Sequence, residues 1–198
     1  TYHKGEWWYR AHFPLKNSGE YMTGEASPYY LFHPHVAPRM AGMVPTVRLI
    51  VLLRDPVERA YSHYHHNTRK GREPLSFEEA IASESERVDG EISCRPDDPY
   101  ARSYTHQHYS YVQRGYYNEQ LAAYLEYFSR DQILVAKSER LFREPDTTWR
   151  EILRFLGLRE IDVPEQCATD RSGFEEGSPG AEALSRIRRA VGTAVGEY

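Results

Sequence analysis

The chain has 198 residues, of which 40% are hydrophobic, so it can bury one substantial core and we expect a single domain over residues 1–198. Its formal net charge of −4 argues against a protein that coats nucleic acid, so we expect no nucleic-acid partner. No apolar run approaches the length of a membrane span, which predicts that this chain has no membrane segment.

The first predicted element is a short amphipathic helix within residues 1–15 that ends before Pro14. Helical spacing places Trp8, Tyr9 and His12 on one side of it. We expect this aromatic cluster to pack in the core. The alternative is a platform on which a sugar ring stacks.

A short strand is predicted over residues 21–25, with Glu25 at its carboxyl end. A lone acid there is usually a solvated residue. In open α/β sheets, however, the same edge is where ligands bind, so Glu25 is a candidate site residue. A helix is predicted next, over residues 37–43.

The central stretch, residues 47–70, begins with six apolar residues in seven, which predicts a strand buried on both faces as in a parallel sheet. Asp55 is a good N-cap and Pro56 suits the first position of the following helix, whose predicted core face is Val57, Ala60, Tyr61 and Tyr64. Arg54 lies at this helix start, where free N–H groups and the helix dipole attract anions.

Charge around this stretch is unevenly distributed. Residues 48–72 contain six Lys and Arg against two acids, a local charge of +4 that suits a small polyanionic ligand. The alternative is a solvated helix face balanced by acids elsewhere.

The second half of the chain predicts further helices and one more strand. Ser76 begins a helix, residues 83–102 form a long loop, and Gln132–Ala136 is a second buried strand. Apolar residues at helical spacing predict two more helices. The first has the core face Tyr117, Leu121, Tyr124, Leu125 and Phe128; the second has Trp149, Ile152, Leu153 and Leu156, with Gly157 as its C-cap. A last helix is predicted through Leu184, Ile187 and Val191. Strands alternating with helices predict an α/β fold, a parallel sheet flanked by helices.

The two cysteines, Cys94 and Cys167, have neither metal-ligand spacing nor the pattern of a disulfide framework. We therefore expect reduced thiols, no metal site and a cytoplasmic protein.

Several segments resemble one family in the same order along the chain. LIVLLRDPVERAYSHY is similar to the 3'-phosphate-binding motif of sulfotransferases that use 3'-phosphoadenosine 5'-phosphosulfate (PAPS). KGEWWYRAHFP, GEASPYYLF, RGYYNEQLAAYLEYFSRDQILV and LRFLGL resemble the accompanying segments, with the nearest likeness to carbohydrate sulfotransferases of the heparan sulfate N-sulfotransferase type and their bacterial relatives. The implied fold is the P-loop-kinase-like sulfotransferase fold.

The resemblance implies roles for individual residues. Arg54 and Ser62 would hold the 3'-phosphate of PAPS and of the product PAP, and a late loop containing Arg171, Ser172 and Gly173 would fold over it, with Ser172 where the family has Lys. Glu25 would be the base of the family's Glu-Lys-Ser/Thr segment, with Ala26 in place of its Lys. His66 aligns with a functional histidine of the N-sulfotransferase pattern; the alternative is an ordinary surface histidine.

The family's 5'-phosphosulfate loop has no counterpart in the sequence, so we expect the fold to lack its first strand, loop and helix and the chain to be an N-terminally incomplete domain. A preceding segment with an anchor would place the protein in the Golgi lumen instead of the cytoplasm.

Three functions follow. The leading one is sulfuryl transfer from PAPS to a hydroxyl or amine of a glycan or other polar small molecule. The second is a non-catalytic remnant that binds PAP or glycan. The third, a P-loop kinase relative, ranks last because no G-x-x-x-x-G-K-[ST] motif and no acid cluster for Mg²⁺ occurs.

Overall fold

The computed structural model describes residues 4–14, 22–92 and 103–163, together with Ile187. Within these residues the chain forms nine α-helices and two β-strands. In chain order they are α1 (Gly5–Arg10), α2 (Val36–Met43), β1 (Leu49–Leu53), α3 (Pro56–Arg69), α4 (Phe77–Ala82), α5 (Glu84–Ile92), α6 (Tyr104–Tyr109), α7 (Tyr117–Leu125), β2 (Ile133–Lys137), α8 (Ser138–Arg143) and α9 (Pro145–Leu156).

The two strands pair in parallel, with Leu49 opposite Ile133 and Leu53 opposite Lys137. Both strands therefore end at the same edge, and α3 and α8 begin there. The helices between the strands form the crossover that a parallel pair requires. The predicted α/β fold with a parallel sheet is confirmed.

Two buried clusters flank this framework. One joins α3 to α4 through Val57, Ala60, Phe77, Ala80 and Ile81, with Tyr111 and Ile187. The other packs α2 and α7 against one face of the sheet, through Ala37, Leu121, Tyr124, Phe128 and Ile133. Side chains at alternate β1 positions, Leu49, Val51 and Leu53, pack against this second cluster.

The helix boundaries follow from local sequence signals. The Asp55 carboxylate caps α3 and Pro56 is its first residue, as predicted. Ser76 and Glu79 form a capping box at α4, and Gly157 ends α9 with a φ of +71°, a value that glycine adopts without steric cost.

Four predictions about elements are wrong. The described part of the predicted strand at 21–25, residues 22–25, is not a strand, because in the described chain the sheet consists of β1 and β2 alone. The first half of the predicted loop at 83–102 is helix α5, which is held by the burial of Val88 and by an ion pair from Arg87 to Glu73.

The other two errors concern burial. Strand β1 is buried on one face only: Ile50 is 37% and Leu52 47% exposed, because the described elements cover just the Leu49 face. Leu125 of α7 is 48% exposed, since it lies away from the cluster that Leu121 and Tyr124 enter. The predicted final helix lies outside the described residues except for Ile187, which is helical and fully buried.

Candidate functional site

The turn between β1 and α3 is fixed by two later elements. The Tyr117 hydroxyl of α7 donates to the Arg54 carbonyl at 3.0 Å, and the Asp55 N–H donates to Oε1 of Glu139 in α8, also at 3.0 Å. Because both polar groups of the turn's backbone have partners, Arg54 leaves the sheet from a defined position.

The first turn of α3 is already occupied by its own cap. Oδ1 of Asp55 accepts from the N–H groups of Val57 at 3.0 Å and Glu58 at 2.9 Å. These two donors are therefore not open to a ligand, contrary to the expectation that free N–H groups bind the anion here. An anion at this edge would have to be held by side chains.

The Arg54 side chain lies along α3. Its Nε and Nη2 donate to Oε2 of Glu58 at 3.3 and 3.0 Å, and the two side chains are 37% and 61% exposed. Exposed ion pairs of this kind contribute little free energy, about 0–1 kcal/mol, so a phosphate could displace Glu58 at small cost.

One face of α3 carries the predicted residues in line. Because α3 is a continuous helix, Ser62 lies one turn beyond Glu58 on the same face, and His66 lies one turn beyond Ser62. Ser62 is half-buried and His66 is exposed. Arg54, which contacts Glu58, thus lies at the start of the row that contains Ser62 and His66.

The carboxyl end of α3 is basic. We call the group formed by His66 and Arg69 of α3, Lys70 and Arg72 just after it, and His108 of α6 the basic end of α3. Burial lowers the pKa of His66, and the positive charges of Lys70, Arg72 and Arg69 lower it further. The pKa of His108 is likewise lowered by burial and then by Arg72, whose Nη1 lies 3.5 Å from the His108 Nδ1. Both histidines are therefore neutral at pH 7 and can accept a hydrogen bond or a proton.

Glu25 is exposed and is held by phenols. Its Oε1 accepts from the Tyr30 hydroxyl at 2.8 Å. Burial and then this carboxylate raise the pKa of Tyr30 to about 12, and the same two causes raise the pKa of Tyr9. The Tyr30 backbone is fixed in turn, because its carbonyl accepts from the Tyr124 hydroxyl of α7 at 2.9 Å. A carboxylate presented to solvent between two phenols is chemically able to accept a proton.

The aromatic residues of α1 do not form a core. Trp7 is 87% exposed and no residue of α1 is buried, so the predicted core packing of this cluster is wrong. Trp8 and Tyr9 are half-buried, and His12 is exposed. The Lys4 ammonium lies 4.5 Å from the centre of the Trp8 ring, and the His12 ring lies 4.1 Å from it.

A buried charged cluster lies behind α3, on its other side. The Arg59 guanidinium is buried and donates to the Tyr111 carbonyl. Glu84 of α5 accepts from the N–H groups of Val112 at 2.6 Å and Gln113 at 2.9 Å, and its burial raises its pKa to about 7. These contacts tie α5 to the chain before α7 and serve the fold.

Some predicted features lie elsewhere. Arg171, Ser172, Gly173 and both cysteines lie outside the described residues. Among the residues that are described, no group of His, Cys, Asp and Glu is arranged to hold a metal ion. The same residues include no helix long and apolar enough to span a bilayer.

Sequence reasoning missed Tyr30, Tyr117, Tyr124 and Glu139. The apolar spacing of α7 indicated only that Tyr117 and Tyr124 were core residues. The hydroxyl of each forms a bond to a residue far away in sequence, which periodicity does not reveal.

Comparison with known proteins gives three related findings. Residues 6–172 match the model of the sulfotransferase domain. The chain is 32% identical over 161 residues to the heparan sulfate glucosamine 3-O-sulfotransferase 3B1 of Mus musculus, covering 81% of this chain and 37% of that protein. It is 29% identical over 165 residues to the bifunctional heparan sulfate N-deacetylase/N-sulfotransferase 2 of Bos taurus, covering 80% of this chain and 17% of that protein.

A solved structure is also similar. The sulfotransferase from Alicyclobacillus acidocaldarius superposes with a TM-score of 0.56 at 30% identity, covering 85% of this chain and 64% of that one. The chain therefore spans well under half the length of these two curated relatives and just under two thirds of the structural neighbour.

Proposed function

Because the chain belongs to the sulfotransferase domain family, we propose that it transfers a sulfuryl group from PAPS to a hydroxyl or amine of an anionic glycan. One observation carries the proposal: an anchored strand end presents Arg54 at the head of a helix face that also carries Ser62 and His66.

Arg54 and Ser62 hold the 3'-phosphate of the donor. A guanidinium forms paired hydrogen bonds to phosphate, and a hydroxyl adds one more donor. Asp55 fills the helix N-terminus, so these two side chains carry the contact, and Arg54 exchanges Glu58 for the phosphate. The family resemblance assigns Arg171, Ser172 and Gly173, which lie outside the described residues, to the same phosphate.

Glu25 is the base for the acceptor. As the acceptor oxygen or nitrogen forms its bond to sulfur, the bond from sulfur to the 5'-phosphate oxygen breaks and PAP leaves. The acceptor proton moves to the Glu25 carboxylate, which the Tyr30 hydroxyl keeps in place at 2.8 Å. His66, neutral at pH 7, hydrogen-bonds to the acceptor group on the α3 side of the site.

The basic end of α3 selects an anionic acceptor. Three cations, Arg69, Lys70 and Arg72, lie close enough to His66 to lower its pKa, so positive charge is concentrated beyond the Ser62 turn. The names of two relatives specify heparan sulfate, an anionic polysaccharide, which is the same chemical class. Positive charge of this density favours such a chain over a neutral sugar.

The test measures two quantities on the chain of residues 1–198: transfer of labelled sulfate from PAPS to a de-N-sulfated heparan-type polysaccharide, and PAP binding by titration calorimetry. The proposal expects both. PAP binding without transfer would leave the non-catalytic alternative, a PAP- or glycan-binding module, and absence of PAP binding would overturn the proposal.

Replacing Glu25 separates the two activities. Glu25→Gln keeps the shape and removes the base, so turnover falls by about 100- to 10,000-fold, the usual range for a general base, while PAP affinity is unchanged. The matched control is Glu126→Gln, which alters an exposed glutamate just after α7 and leaves both quantities as they were. A Glu25→Gln variant that keeps most of its rate shows that another group accepts the proton.

A further inference from the structure

Helix α7 contacts both halves of the candidate site through the same kind of bond. Tyr117 donates its hydroxyl to the Arg54 carbonyl at 3.0 Å, and Tyr124 donates its hydroxyl to the Tyr30 carbonyl at 2.9 Å. Tyr30 in turn holds Glu25 at 2.8 Å. The Tyr117 hydroxyl therefore contacts the residue proposed to hold the donor phosphate, and the Tyr124 hydroxyl contacts the residue that holds the proposed base.

The two tyrosines lie on one face of a rigid element. They are seven residues apart, which is two helical turns, and Leu121 lies between them on the same face. All three side chains are buried, at 7%, 4% and 5% exposure for Tyr117, Leu121 and Tyr124. Burial of this face restricts their rotamers, and each phenol donates in one direction.

The spacing of these anchors sets a distance. Two helical turns are about 10 Å at 1.5 Å per residue. The backbones of Tyr117 and Tyr124 are therefore held apart by this length of helix, and each hydroxyl fixes one carbonyl, that of Arg54 or that of Tyr30.

From this geometry we propose that α7 is a positioning helix, with Tyr117 setting the place of Arg54 and Tyr124 setting the place of Glu25 through Tyr30. This inference rests on the proposed function for what the two ends hold. Neither tyrosine touches the reacting groups; each acts through a backbone carbonyl. Proper transfer geometry depends on such supports, since a small displacement of a catalytic group costs a large part of the rate.

Hydroxyl deletions test the two roles separately. Tyr117→Phe removes the bond to the Arg54 carbonyl, together with a contact to the buried Arg59 guanidinium, and weakens PAP binding by about two- to tenfold, the range for one neutral hydrogen bond. Tyr124→Phe leaves PAP affinity unchanged and lowers kcat for sulfate transfer instead. Tyr127→Phe is the control: Tyr127 is 48% exposed just beyond α7, and its hydroxyl supports neither carbonyl.

A merely structural role gives a different pattern. Both variants would then lower the melting temperature, and the two would change PAP affinity and kcat equally or not at all. That result overturns the inference. Amide hydrogen exchange provides a second readout that needs no ligand. We expect faster exchange confined to residues 53–55 in Tyr117→Phe and to residues 29–31 in Tyr124→Phe.

The exchange data also distinguish the two failures. If the unsubstituted chain binds no PAP while exchange changes at the expected segments, the proposed function fails and the supports stand. If PAP binds but Tyr117→Phe and Tyr124→Phe show the same exchange pattern and the same changes in PAP affinity and kcat, the positioning role of α7 is wrong and the proposed function stands.

Discussion

Arg54 is shared between an acid and the proposed phosphate. It contacts Glu58 at 3.0 Å, and Asp55 and Glu139 lie at the same turn. Glu58 keeps the arginine side chain in place while no anion is bound, and it competes with any phosphate that arrives.

Replacing Glu58 therefore strengthens donor binding. Glu58→Gln removes the competing ion pair and one negative charge, and we expect PAP to bind about two- to fivefold more tightly, which corresponds to the free energy of an exposed ion pair. Calorimetric titration measures this, with Glu78→Gln, an exposed acid of α4, as the control. Weaker PAP binding by Glu58→Gln would mean that Glu58 orients Arg54 and does not compete for it.

Individual residues of the site could be found from sequence only where they form part of a local motif. Arg54 and Ser62 are eight residues apart and Glu25 begins the segment Glu25-Ala26-Ser27, so a linear pattern contains them. Tyr117 lies 63 residues from Arg54, and Glu139 lies 84 residues from Asp55. Such supports depend on how the helices pack and leave no local signal.

Among the elements, α3 was the best predicted because its signals are local. The cap, the proline and the apolar spacing all lie within ten residues. Helix α5 was missed because its only buried apolar residue in the described side chains is Val88, and a tertiary ion pair from Arg87 to buried Glu73 helps to stabilise it. The second face of β1 was mistaken for a buried one, since an apolar run does not reveal which faces are covered.

The cap of α3 can be weighed by substitution. Asp55→Ala leaves the N–H groups of Val57 and Glu58 without their shared acceptor, so the free energy of unfolding falls by about 0.5–2 kcal/mol. Urea denaturation measures the change. Asp162→Ala, at an exposed position after α9, is the control and stays within about 0.5 kcal/mol of the parent. An Asp55→Ala variant as stable as the parent would show that solvent satisfies those groups equally well.

At the scale of the whole molecule, buried histidines and one buried acid set the pH dependence of stability. Burial, with nearby positive charge, lowers the pKa of His33 and His106 to about 4 and that of His63 to about 2, from 6.5. Burial raises the pKa of Glu84 from 4.5 to about 7. The histidines favour unfolding as pH falls below 6.5, whereas ionising Glu84 favours unfolding as pH rises from 4.5 to 7.

Three histidines oppose one acid, so their combined effect makes the protein more stable as pH rises through this range. Through these four groups the unfolded chain binds about two more protons than the folded one between about pH 4.5 and 6, so their combined effect raises stability with pH by roughly 2–3 kcal/mol per unit. His63→Asn removes one of these protons and lowers the slope by about 1.4 kcal/mol per unit. Denaturation curves at a series of pH values give the slopes. Equal slopes for the parent and His63→Asn would contradict the assignment of His63 as a buried neutral imidazole.

The central claim concerns two side chains acting on one phosphate, and a double-mutant cycle on PAP affinity tests it most directly. Arg54→Ala removes charge-assisted hydrogen bonds and weakens PAP binding about 10- to 150-fold, and Ser62→Ala has a smaller effect. If both groups contact the same phosphate, the double variant differs from the sum of the single effects by an interaction energy of about 0.5–3 kcal/mol. Strictly additive effects, or an affinity that does not depend on Arg54, would contradict the account.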